Sequence, residues 1–265
     1  MRNLISFTII ILLAFATVFA QQNYDIPLKD VDVTGITSDG SSVWVSTYGQ
    51  GIHQYVIAQN KWIVHSTKTG ATDNDLVYCI ASSGEYTWAG TADGLYTLRK
   101  GQTKWIKRKF ASGGEYGQWV RSLTYDPKRD VLWIGRFMNL SRLDVKKQKY
   151  DDYDFTRNED NKTNTFKHIA IEDNAIVWFG TEAGIFKYDM SDALKPEELP
   201  LYSTRQGTFK GDGDYITISG MLFDKDYIWF ATEEYITEET PKFNTGGLYR
   251  FNRRAAWEVY DRTKG

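Results

Sequence analysis

The sequence predicts an all-β fold: a β-propeller of four-stranded blades, with five blades counted. Three observations predict it. Aromatic residues make up 15% of the 265 residues, with 9 Trp and 17 Tyr against only 5 Pro, and aromatic enrichment between turn signals favours strands. A Trp-bearing hairpin pattern recurs at Trp44, Trp88, Trp133, Trp178 and Trp229, in steps of about 45 residues that match four-stranded blades. Helical periodicity is absent beyond the first 20 residues.

Each blade reads as strands a, b, c and d. Strand a carries apolar residues three apart and ends on a polar one: Val33, Ile36 and Asp39; Val77, Ile80 and Ser83; Val120, Leu123 and Asp126; Phe166, Ile169 and Glu172; Ile218, Met221 and Asp224. The closing polar residue suits a turn, where a carboxylate can bond nearby backbone. The residue before the Ile position is small in Gly35, Cys79, Ser122 and Gly220, as crowding near an axis requires; His168 breaks that run. Strand b holds the Trp, which supplies area for blade stacking and a ring nitrogen that seeks a polar partner. Gly51, Gly94 and Gly184 provide tight b–c turns and close backbone approach. Strand d follows as Trp62 to Val64, Trp105-Ile106, Tyr150 to Tyr153, Leu201-Tyr202 and Trp257 to Tyr260. A single unit of this kind cannot bury both its faces, and stacking in a ring solves that. Units fall near residues 30–70, 71–113, 114–160, 161–210 and 211–265, within one domain over 21–265.

Residues 1–20 differ. Arg2 precedes an apolar run from Ile5 to Ala20 that ends in Val18-Phe19-Ala20. The run is short for a spanning helix, which needs about 20 residues. It reads as a signal peptide cut after Ala20, giving an exported protein, periplasmic or extracellular, with no stable membrane insertion after cleavage. The single Cys79 lies in a strand pattern, not at the cleavage point, so it reads as a buried thiol. A net charge of -2 gives no basic footprint for nucleic acid.

The hairpins GTADGLY (Gly90 to Tyr96) and GTEAGIF (Gly180 to Phe186), with the preceding strand-a signature, resemble the two-component regulator propeller repeat. The resemblance covers essentially the whole chain after the leader. It implies a ligand-binding sensor propeller in an exported part of a bacterial signalling protein. Members commonly carry seven blades or two sets of seven, joined to a membrane helix and a kinase. This chain counts five units and shows no kinase. Its third unit carries Arg136 in place of the motif's Thr, and its fifth has Ala231 for Gly and an insert before Gly246. Whether five blades close a ring or form part of a larger propeller stays open at this level.

In a four-stranded meander the b–c turns and d–a connections emerge on one face. Sequence irregularity concentrates there, as expected of binding loops on a rigid scaffold. The candidate ligand-binding residues are Tyr48, Asp93, Arg136 and Glu182 from b–c turns, Tyr116, Trp119 and Tyr215 from d–a connections, and His168 on a strand a. Arg136 suits a carboxylate or sulfate, and the Tyr and Trp residues suit sugar rings. Glu233, Glu234, Asp93 and Glu182 offer carboxylates for glycoside cleavage, but no spacing fixes a pair. Asp212-Gly213-Asp214 lacks the spacing of a Ca²⁺ loop, and His53, His65 and His168 lack metal spacing. No catalytic residue, metal or cofactor is assigned. The leading expectation is a noncatalytic module binding a glycan, a peptide or an envelope protein through this face. The alternatives are a carbohydrate hydrolase or lyase using loop carboxylates, and a structural scaffold of an envelope assembly.

Overall fold

The computed structural model describes residues 27–158, 161–204, 207–209, 215–233, 246–254 and 257–261. The leader reading and the Asp212 to Asp214 turn fall outside these residues, as does most of the fifth-unit insert. The described chain forms five four-stranded antiparallel sheets, each a simple meander. Blade one comprises β1 (Val33–Ser38), β2 (Ser42–Thr47), β3 (Ile52–Val56) and β4 (Lys61–His65). Blade two comprises β5 (Val77–Ser82), β6 (Tyr86–Thr91), β7 (Gly94–Arg99) and β8 (Ile106–Arg108). Blade three comprises β9 (Val120–Asp126), β10 (Val131–Arg136), β11 (Leu140–Asp144) and β12 (Lys149–Tyr153). Blade four comprises β13 (Phe166–Glu172), β14 (Ile176–Thr181), β15 (Gly184–Asp189) and β16 (Leu201–Tyr202). Blade five comprises β17 (Thr217–Phe223), β18 (Ile228–Glu233), β19 (Gly247–Phe251) and β20 (Trp257–Asp261). This is a β-propeller arrangement.

Four apolar clusters lie at the four seams between consecutive blades. The Trp of strand b faces forward: Trp44 meets Val77 and Ile80 of blade two, and Trp178 meets Ile216, Ile218 and Phe230 of blade five. Both faces of an inner sheet are therefore dry, so its strands carry apolar residues at successive positions instead of alternating. The motif glycine of strand b has a steric reason. A Cβ on Gly135 would lie 2.8 Å from the Cβ of Phe166, the first residue of the next blade's strand a. Strands a of consecutive blades pack on each other, which places them on the inner side.

Two of the Trp residues bond the acid that ends strand a. Trp44 Nε1 donates to Asp39 Oδ2 at 2.9 Å, and Trp178 Nε1 donates to Glu172 Oε2 at 2.8 Å. Asp39 also accepts from the backbone N–H of Ser41 and Ser42, holding the a–b turn. The same register therefore fixes a turn and pins a buried indole, whose N–H needs a partner in a dry seam.

Candidate functional site

Every strand a carries a bulge at the same place. Val33 and Gly35 pair with the adjacent Thr47 and Ser46, and the same slip recurs at Val77/Cys79, Val120/Ser122, Phe166/His168 and Ile218/Gly220. One residue per blade is thereby left out of the ladder: Thr34, Tyr78, Arg121, Lys167 and Ser219. A bulge bends the strand and re-aims that side chain. These five positions lie on the inner strands, at the end facing the b–c turns and d–a connections.

Three of the five, Tyr78, Arg121 and Lys167, make ring or charge contacts across the seams. Tyr78 packs edge-on to Tyr48 of the first b–c turn, with ring centroids 5.8 Å apart. It also meets Trp119 at 5.3 Å. Trp119 stacks on Phe137 at 5.2 Å with planes 5° apart, and Phe137 meets Tyr116 at 5.4 Å. The result is one aromatic ribbon, Tyr48–Tyr78–Trp119–Phe137–Tyr116, across three blades. Its two ends, Tyr48 and Tyr116, are exposed. Burial, followed by the neighbouring Tyr48 phenol, pushes the Tyr78 phenol up in pKa.

The ribbon continues into charge. The Arg121 guanidinium lies 5.3 Å from both the Trp119 and the Phe137 ring centres, within cation–π range. Its Nη1 donates to Glu182 Oε1 of blade four at 2.9 Å, and both side chains are mostly buried. Lys167 of blade four donates to Glu233 of blade five at 3.0 Å. Rings and ion pairs thus run along the inner strands from blade one to blade five. A bulge residue meets the b–c end of the neighbouring blade in Tyr78–Tyr48, Arg121–Glu182 and Lys167–Glu233, and at the second seam Tyr78 meets Trp119 of a d–a connection.

Of the residues singled out in the sequence, Tyr48, Tyr116, Trp119 and Glu182 come together in this band. Asp93 lies apart, where strand d of its own blade meets the b–c turn: Lys107 and Lys109 bond it at 2.7 and 2.9 Å. Those bonds hold its carboxyl below the usual range, the opposite of the raised pKa that suits a general acid. His168 is half-buried on β13, and burial lowers its pKa. Tyr215 sits before β17 with Lys162 Nζ 5.0 Å from its ring centre.

Arg136 departs from the expectation of a ligand-facing guanidinium. It is 0% exposed. Nη1 donates to the carbonyls of Ser112 and Gly117, Nη2 donates to Ser112 Oγ and pairs with Asp152, and the group stacks on Phe110. Burial pulls its pKa down to about 10, against the opposing pull of Asp152. Arg136 therefore anchors the connection that carries Tyr116, rather than facing a ligand. Sequence reading missed Tyr78, Arg121, Lys167 and Phe137. The signal available was positional: each of the first three directly follows the apolar residue that opens strand a.

The architecture and this band define the class, a β-propeller with an aromatic and charged loop face. No protein-family model matches the chain, and no curated protein matches it by sequence. Solved structures do match. The extracellular domain assigned to the hybrid two component system BT4673 of B. thetaiotaomicron aligns with TM-score 0.58 and 17% identity, over 90% of this chain and 34% of its own. The corresponding domain of BT3049 from the same organism gives 0.56 and 17%, over 87% and 33%. A GH74 enzyme of Niastella koreensis gives 0.57 and 14%, over 88% and 37%. The chain spans about a third of the length of these neighbours, and at these identities the likeness is one of fold. Among the described residues no helix is long and apolar enough to cross a membrane.

Proposed function

We propose that this protein is an exported ligand-binding propeller, with its leader cut after Ala20, whose loop face binds a carbohydrate. The observation that carries the reading is the continuous ribbon from Tyr48 to Tyr116, with the Arg121–Glu182 ion pair at its flank. The exposed rings at its ends, Tyr48 and Tyr116, suit the apolar faces of sugars, and nearby charged groups suit their hydroxyls. The extracellular two-component neighbours support a sensor-type role. The GH74 neighbours supply the enzymatic alternative, but of the four carboxylates picked out for it Asp93, Glu182 and Glu233 are tied to cations, and Glu234 lies outside the described residues.

A glycan array followed by calorimetry tests the reading. Trp119→Ala is expected to cost about 2 kcal/mol, roughly thirtyfold in Kd, as removal of a central aromatic anchor does. Tyr116→Ala, at the exposed end, is expected to cost less. Binding by the array's best glycan that both variants leave unchanged would remove the ribbon as the site. A peptide ligand competing at the same residues would keep the site and replace the ligand class.

A further inference from the structure

Every interior seam has the same construction: strand a of the following blade packs on strands a and b of the preceding one. In blade four the seam face is set by register. Trp178 and Lys187 form one row with Ala170, and Gly180, Ile185 and Tyr202 form the next. Blade five covers these rows, so Trp178 is 1% exposed and Ile185 0%.

Blade five repeats the rows with no described element on top of them. Leu222, Trp229 and Arg250 align in one row, and Ala231, Leu248 and Tyr260 in the next. Here Leu222 is 64% exposed and Leu248 47%, Tyr260 is exposed, and Trp229 is only half-buried. Leu222, Trp229 and Leu248 border an apolar hollow of about 280 Å³. Blade one is the mirror case. Its Val33 and Ile36 are exposed, Ile36 by 67%, although the corresponding Val77 and Ile80, and Phe166 and Ile169, are buried in their seams. Strands β17 and β1 of one chain do not pack as the other strands a do.

We propose that these two open faces are halves of one interface: β1 of a second copy of this chain packs on the open face of blade five, head to tail. Four seams within the molecule show what such a face accepts, a strand a presenting two apolar residues three apart. The second copy carries that strand with that pair uncovered. Contiguous exposed apolar surface of this kind marks an interaction site. The contact is heterologous, so it either closes or propagates.

Sedimentation velocity over a concentration series tests the assembly, using the purified chain with Leu222→Asp and Ile36→Asp variants. Both residues are exposed, so the variants should keep the native circular dichroism; Leu248→Glu serves as a second trailing-face variant. The wild-type protein is expected to shift with concentration to two chains or more. Each single-face variant is expected to stay monomeric. Mixed together, Leu222→Asp and Ile36→Asp are expected to form a species of two chains and no larger, because one intact face of each kind remains. A wild-type chain that stays monomeric throughout overturns the proposal. So does self-association of either variant alone, which means that like faces meet, or a mixture that fails to pair, which means that the two faces do not fit each other.

Discussion

His65 shows how a single side chain sets a condition on the fold. It is buried at the end of β4, between Trp44 and Trp105, with ring centroids 5.6 and 5.9 Å away, and its Nε2 meets Gln54 Oε1 at 3.1 Å. Burial first, and then the nearby His53, bring its pKa down to about 4. The unfolded chain takes up this proton near pH 6.5, before the folded chain does, so stability must fall as pH drops from about 6.5 towards 4. The loss from this one group is at most about 3 kcal/mol. The depressed carboxyls of Asp93 and Asp39 act lower, below their ordinary pKa of 3.8, so the two windows separate. Denaturant titrations at pH 7 and pH 4.5 are expected to show the loss, and His65→Gln is expected to shrink it; an equal loss in the variant would assign the effect elsewhere. Glu172 is a second case. It accepts from Trp178 Nε1 and from Arg253 Nε of blade five, so Glu172→Ala strands a buried indole and breaks a link across the seam. A loss of about 2–3 kcal/mol is expected by chemical denaturation, and Glu172→Gln, which keeps an acceptor, should recover part of it.

At the scale of the element, the b–c hairpin depends on backbone geometry that only certain residues supply. Gly184 has φ +133°, and a Cβ there would lie 2.3 Å from the carbonyl oxygen of Tyr202 on strand d. Gly184→Ala is therefore expected to destabilise by about 1–3 kcal/mol, measured by thermal or chemical unfolding. An alanine at no cost would mean that β16 can move away freely. Blade three solves the same turn with Asn139 at φ 76°, which is why its motif looks broken in sequence while its sheet is intact. The strands were legible because seam burial writes the same apolar positions five times. The bulge was not, because it is a property of pairing: nothing in Val120-Arg121-Ser122 states that Arg121 drops out of the ladder. That one slip separates the two arginines. Arg121 is aimed at the loop face beside Trp119, while Arg136, the more conspicuous departure from the repeat, is buried under the Tyr116 connection. The aromatics Tyr48, Tyr116 and Trp119 were visible as a group only through their loop positions, and their link through Tyr78 and Phe137 needed the fold.

At the scale of the molecule, blades stacked in order behave as a nearly one-dimensional array, in which each unit is held by its own sheet and by its neighbours. Blades two, three and four are covered on both faces. Among the described residues blade five is covered on one face, through the cluster around Phe230 and Tyr249, while Leu222 and Leu248 face outward. The end unit therefore lacks one seam's worth of apolar burial, and local opening should start there. Native-state hydrogen exchange measures this directly. The amide of Phe230 in β18 and that of Phe179 in β14 are both central in their sheets. In dilute protein, Phe230 is expected to open with a free energy lower than that of Phe179 by about 2 kcal/mol, of the order of one large side chain left unburied. Equal protection would mean that the five blades unfold as a single closed unit, and the open-seam description of blade five would have to go. If a second copy docks on that face, its binding stabilises the folded blade by mass action. Protection at Phe230 should then rise with protein concentration while Phe179 stays unchanged, and Leu222→Asp should abolish the rise without altering Phe179.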